Sequence, residues 1–213
     1  LASTSIFISI AIMIVSFIGG LSFFYVSSYQ PRKVKKQQLD QLMSFLINYI
    51  IYIWIGKVLA HFTTFIKDPL AVLAYPSNST AFYYATILIV VHLLYRMRHK
   101  KAEMFIVLQT SLPVFLSASF LYEFLQVIVA KNQISWGYLT LLMVFILLYL
   151  FMQGKGSIRN RSLIIFYMWI FGQFLLSFYS NITIFDYMIS PIFLICLFVI
   201  VLFFQMFNRK GKV

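Results

Sequence analysis

Long apolar stretches alternate with short polar ones along the whole chain. Seven apolar runs stand out, at 5–26, 42–65, 81–95, 104–129, 138–152, 162–180 and 187–207. A straight helix needs roughly 20 apolar residues to cross hydrocarbon about 30 Å thick. Most of the runs meet that length, and the third and fifth are short enough to borrow flanking residues. Pro113 falls inside the fourth, where a missing N–H and a steric clash with the preceding turn predict a kink or break. The pattern predicts an all-α integral membrane protein with seven transmembrane helices in a single domain over 1–213. No internal repeat, low-complexity tract or soluble module interrupts it. Segment 66–80, IKDPLAVLAYPSNST, holds two prolines and an apolar patch at 70–73. It reads as a stretch lying in the outer membrane interface. Tyr25, Tyr29, Tyr95, Trp136, Tyr138 and Tyr179 lie near run ends, as aromatic belts do at head-group level.

Composition agrees with lipid as the main solvent. Hydrophobic residues make up 62% of the chain and charged ones 10%, with a mean hydropathy of +0.91. Soluble domains run nearer about 45–50% apolar and about 25% charged. No basic stretch precedes the first run, which is also long for the apolar part of a signal peptide, so it reads as a span.

The net charge of +12 raises nucleic-acid binding as a question, and the distribution of charge answers it. Arg32, Lys33, Lys35 and Lys36 form one cluster; Arg96, Arg98, Lys100 and Lys101 form a second. Lys155, Arg159 and Arg161 form a third, and Arg209, Lys210 and Lys212 close the chain. Every second loop is basic, while the loops between hold only Lys67 and Lys131. This is a topology signal, not a nucleic-acid surface. It places the N-terminus outside and the C-terminus in the cytoplasm. Short loops and composition suggest the bacterial cytoplasmic membrane. Two glycosylation sequons, Asn78-Ser79-Thr80 and Asn181-Ile182-Thr183, fall on the outer side and are read as chance. The single cysteine, Cys196, allows no intrachain disulfide.

Ionisable groups inside apolar runs are costly and are the first functional candidates. Here they are Lys57 and His61 in the second run, His92 in the third and Glu123 in the fourth. Lys57 and His61 stand four apart and share a helix face. Glu123 is a partner for Lys57 in a buried ion pair. Against these readings, lysine can snorkel to the interface, and a histidine near a span end can simply face head groups. No His, Cys and carboxylate spacing suggests a metal, and no nucleophile elbow, phosphate loop or HExxH motif is present. Neither metal nor cofactor is expected.

The order of local patterns resembles the prolipoprotein diacylglyceryl transferase family, seven-span bacterial enzymes of the same orientation. These move a diacylglyceryl group from phosphatidylglycerol to the lipobox cysteine of a preprolipoprotein. The resemblance begins at Leu39-Asp40-Gln41-Leu42 and passes Ile55-Gly56-Lys57, where the family has Gly-Arg or Ala-Arg. It is clearest at Asp68-Pro69-Leu70. Asn78 to Ala85 stands in the place of Gly-Gly-Met-Ser-Phe-His-Gly-Gly; Phe82 matches, and the functional His is Tyr83. Ser117 to Phe124 stands where the family has Gly-Arg-x-Gly-Asn-Phe, with Phe120 for Arg and Glu123 for Asn. Trp169-Ile170-Phe171-Gly172-Gln173-Phe174, followed by Ser177-Phe178, looks like Tyr-Gly-x-x-Arg-Phe and Glu-Phe, with Gln173 for Arg and Ser177 for Glu. Ser190-Pro191 resembles a closing Ser-x-Pro.

The substitutions bear on activity. The family's arginines bind lipid phosphate and stabilise negative charge through a fork of donors. Phe120 offers no donor and Gln173 no charge, while Tyr83 is a poor general base at an ordinary phenol pKa of about 10. The resemblance thus implies a divergent, non-catalytic relative that binds a membrane phospholipid, or a lipoprotein or other membrane partner. Its site would be lined by Lys57, Tyr83, Phe120, Tyr122, Glu123 and Gln173. One alternative is a lipid transferase with altered chemistry using Tyr83, Glu123 and His92. Another is a small transporter subunit with Lys57–Glu123 as the coupling pair.

Overall fold

In the computed structural model, residues 2–74, 78–99, 101–129, 136–154, 158–179 and 182–209 are described. Lys100, Lys131, Lys155, Lys210, Lys212 and Asn181, all cited above for topology or glycosylation, lie outside them. Helices α1 (Ala2–Ser27), α2 (Arg32–Ala60), α3 (Phe62–Lys67), α4 (Pro69–Ala74), α5 (Ser79–His99) and α6 (Lys101–Ile128) are followed by α7 (Trp136–Phe151) and α8 (Ile158–Leu176). A hairpin of β1 (Ile182–Ile184) and β2 (Tyr187–Ile189) then leads to α9 (Pro191–Arg209). Each apolar run thus overlaps one long helix. Three of them contain stretches long and apolar enough to cross a membrane: Phe7–Ser27, Arg32–Ala60 and Gln109–Ile128. Trp136–Phe151 and Pro191–Leu202 are shorter apolar helices.

The exposed surface of α2 suits lipid as its solvent. Met43, Ile47, Ile50, Ile51, Trp54, Ile55 and Leu59 are all exposed, and their spacing makes a continuous apolar stripe at helical period. A soluble helix turns that stripe inward. Burial in the apolar windows of α1 and α2 is 22% and 17%, against 50% in α6, so α6 is the most enclosed of the three.

Several boundaries differ from the hydropathy reading. Helix α2 starts ten positions before the second apolar run, because Lys, Gln and Leu are good helix formers and carry the hydrogen-bond ladder into the polar end. It stops at Ala60, with His61 as its C-cap, and the run expected to continue to 65 breaks there into α3. Helix α6 runs through Pro113 without interruption. The last run was expected to be helical from Tyr187, but Tyr187–Ile189 is a strand and the helix begins at Pro191.

Helix starts follow elementary capping chemistry. Asp68 Oδ1 accepts from the Ala71 N–H at 3.0 Å ahead of Pro69, the first residue of α4. Asn78 Oδ1 accepts from the Ala81 N–H at 2.9 Å at the start of α5. Ser190 Oγ accepts from the Phe193 N–H at 3.2 Å ahead of Pro191. A short polar side chain at the cap and proline at the first helical position is a general solution for helix N-termini. Asp68-Pro69 and Ser190-Pro191, two of the matches behind the family resemblance, therefore have a local role in this chain.

Two compact units are present, one comprising 1–16 and 116–213, the other 17–115. Within the second, α2 and α5 pack closely. Tyr49 and Thr86 share a hydroxyl hydrogen bond of 3.1 Å, and Tyr49 meets Phe82 edge to face. A side chain at Gly56 would run into the Ala81 carbonyl. These pairs run in opposite sequence directions, so the helices are antiparallel. Phe24, Leu42, Val107 and Val114 form a buried cluster in the same unit. In the first unit, Gly137 packs on Leu176, Gly172 on Leu141, and the Arg161 guanidinium lies over the Tyr149 ring. Helices α7 and α8 are therefore an antiparallel pair.

Candidate functional site

In the unit of 17–115, Lys57 in the last turn of α2 and His61 at its C-cap both hold the segment that follows. Lys57 is buried, and its Nζ donates to the Leu73 carbonyl at 3.1 Å. Leu73 is in the last turn of α4, where carbonyls lack intrahelical donors and a cation is favoured. Asn78 Nδ2 lies 3.3 Å from His61 Nε2. These contacts tie the two short helices and the start of α5 back to α2. Glu123, the partner expected for Lys57, belongs to the other unit.

Tyr83 and His92 lie on α5. Tyr83 is half-buried with its ring against Phe82. His92 Nδ1 is 2.6 Å from the Tyr52 hydroxyl. Nine positions separate Tyr83 from His92, about 13 Å along a helix axis, so the two cannot address one reacting atom. That distance counts against their acting as a catalytic pair.

In the unit of 1–16 and 116–213, Tyr122 and Glu123 stand where the hairpin meets α6. The Tyr122 hydroxyl accepts a 2.8 Å hydrogen bond from Gln126 Nε2 one turn on. Its ring meets Phe185 edge to face, with centroids 5.3 Å apart. Phe185 and Asp186 form the turn, with φ of 49° and 70°, and the register Ile184↔Tyr187 leaves only these two residues between the strands. Positive φ at both central positions is the geometry that matches strand twist, usually supplied by Asn-Gly. Here Phe-Asp adopts it. The turn brings Asp186 within electrostatic range of Glu123, and the buried Tyr138 of α7 is within that range as well. Two of the five acidic residues of a strongly basic chain are thereby gathered in one place.

Phe120 and Phe124 stack one turn apart on α6, centroids 6.1 Å apart with nearly parallel planes, and Phe124 is exposed. Gln173 is fully buried on α8, at 0% exposure. Neither its amide nitrogen nor its oxygen has a hydrogen-bond partner among the described residues. Tyr122, Glu123 and the hairpin form one group, and no hydrogen bond links Gln173 to it among those residues. Comparison with protein-family models, curated proteins and solved structures finds no match to this chain.

The hairpin residues Phe185 and Asp186 were not among the sequence candidates. The β-branched and aromatic run Ile-Thr-Ile-Phe-Asp-Tyr-Met-Ile carried a strand signal, but Phe-Asp is not a recognisable turn, and Tyr187 reads naturally as the start of a span. Among the described residues no group of three or more His, Cys, Asp or Glu could hold a metal. The chemistry on offer is hydrogen bonding and aromatic contact.

Proposed function

We propose that this chain is a seven-span protein of the bacterial cytoplasmic membrane, N-terminus outside, that binds a phospholipid without transferring it. The proposal takes the diacylglyceryl transferase-like order of motifs as ancestry and the loss of its arginines and histidine as loss of the reaction. Gln173 carries the reading. A buried amide with both ends unpartnered costs about 1–3 kcal/mol per unmet group, and leucine would fill the same space without that cost. An amide earns such a position when a polar guest completes it. Ester carbonyls and hydroxyls of a glycerol backbone accept from and donate to an amide in that way.

Native mass spectrometry of the detergent-purified chain with phosphatidylglycerol tests the reading, using Gln173→Leu as the variant. One retained phospholipid in the wild type, lost in a variant that melts no lower, supports it. A wild type free of lipid, or a variant that keeps the lipid equally, removes it. In a bacterium depleted of its diacylglyceryl transferase, expression of this chain should leave lipoproteins unmodified.

A further inference from the structure

A second site lies in the other unit and does not depend on Gln173. Gln41, Ser44 and Phe45 of α2, His92, Leu93 and Arg96 of α5, and Val107 of α6 surround a cavity of about 60 Å³. That is room for several waters, and so for one compact polar group, not an acyl chain.

The lining is sorted by chemistry. Phe45, Leu93 and Val107 are apolar walls, and Leu93 and Val107 are buried. Arg96, which also interacts with another group of the protein, carries a planar guanidinium with five N–H donors, a geometry suited to phosphate. His92 has one ring nitrogen, Nδ1, engaged by the Tyr52 hydroxyl at 2.6 Å, which fixes the ring. Its other nitrogen, Nε2, has no hydrogen-bond partner among the described residues. Gln41 Oε1 is buried with no partner among them. The two ends of an amide can exchange by a half-turn of the side chain, so that position can also present N–H donors. The Ser44 hydroxyl donates to the Asp40 carbonyl at 3.1 Å and keeps its oxygen lone pairs. The Asp40 side chain is exposed.

Placement within the fold adds long-range charge. Because α2 and α5 are antiparallel, the basic start of α2 (Arg32, Lys33, Lys35, Lys36) and the basic end of α5 (Arg96, Arg98) occupy the same end of the pair. Lys35 is held there by a 2.7 Å hydrogen bond to the Tyr25 carbonyl. Arg96 of the cavity lining belongs to that end, and Gln41 lies five positions beyond Lys36 along α2. Polybasic surfaces next to spans attract anionic lipid, each basic residue contributing about 1 kcal/mol near the surface.

We infer that this cavity is a phosphate-binding site, with Arg96 as the principal ligand and His92 Nε2 and Gln41 as supporting donors. A phosphate there could belong to an anionic lipid head group or to a soluble phosphate, and the test separates the two.

The full chain is purified in detergent as wild type, Arg96→Gln and Arg32→Gln, the last a control at the same basic end outside the cavity. Binding of phosphatidylglycerol and of inorganic phosphate is then titrated calorimetrically. At least a tenfold loss of affinity in Arg96→Gln relative to Arg32→Gln is expected. If that loss is seen with phosphatidylglycerol, and inorganic phosphate neither binds nor competes, the ligand is a lipid head group. If inorganic phosphate binds with the same dependence on Arg96, the ligand is a soluble phosphate. Equal behaviour of Arg96→Gln and Arg32→Gln with both probes overturns the inference. Should Arg96→Gln fail to elute as a single species, Gln41→Leu replaces it, with about a threefold loss expected and wild-type affinity overturning the proposal. Lipid retained through Gln173 would survive Arg96→Gln, so the two proposals fail separately.

Discussion

The ammonium group of Lys57, buried on α2, donates to the carbonyl of Leu73 in the last turn of α4. A charged group in an apolar helix invites a functional reading, yet this contact is a cap. The last carbonyls of a short helix have no donors of their own, and a lysine one helix away supplies one. His61, one turn on, meets Asn78 and holds the other end of the segment. An i, i+4 pair that looked like chemistry works as a clamp.

Replacing Lys57 by methionine should therefore loosen α4 and leave α2 intact. The loss of a charge-assisted hydrogen bond is worth about 1.5–3 kcal/mol. Hydrogen exchange should rise in 69–80 with little change in 42–56. A uniform rise along α2 would mean that Lys57 supports the helix itself.

Gly56 sits where the start of α5 comes closest to α2. A Cβ at Gly56 meets backbone, the Ala81 carbonyl, which cannot rotate away. Gly56→Val should cost at least about 1–3 kcal/mol, the usual range for overpacking, visible as a lower melting temperature in detergent. An unchanged melting temperature would show that the α2–α5 seam opens easily.

The hairpin turn separates strain from contact. Phe185 and Asp186 share positive φ, but only Phe185 places a ring on Tyr122. Asp186→Gly should stabilise by about 0.5–1 kcal/mol through relief of the left-handed backbone. Phe185→Gly gains the same relief but loses an aromatic pair worth about 0.5–1.5 kcal/mol beyond its buried area, so it should destabilise. Thermal unfolding of both variants checks the opposite signs; equal signs would contradict this account.

Orientation can be read by labelling. In a Cys196→Ser background, Asp68→Cys and Asp186→Cys should react with a membrane-impermeant maleimide in intact cells. Lys36→Cys and Asn160→Cys should react only after permeabilisation. All four positions are exposed in the fold, so a reversed pattern would reverse the seven-span orientation proposed here.

Much of this protein was legible in its sequence. The apolar runs located the long helices because a span must satisfy its backbone internally and show apolar side chains to lipid, and both demands appear in composition. Asp68-Pro69 and Ser190-Pro191 marked helix starts because capping needs only neighbours in the chain. The sequence could not show that Lys57 would meet Leu73, that Phe185 and Asp186 would close a hairpin against Tyr122, or that Gln41, His92 and Arg96 would line one cavity. Lys57 and Leu73 are 16 positions apart, Gln41 and Arg96 55, and Tyr122 and Phe185 63, and each relationship rests on how the elements pack. Side-chain chemistry names what a residue can do. Only the tertiary structure decides which groups lie within the few ångströms where a hydrogen bond has its strength.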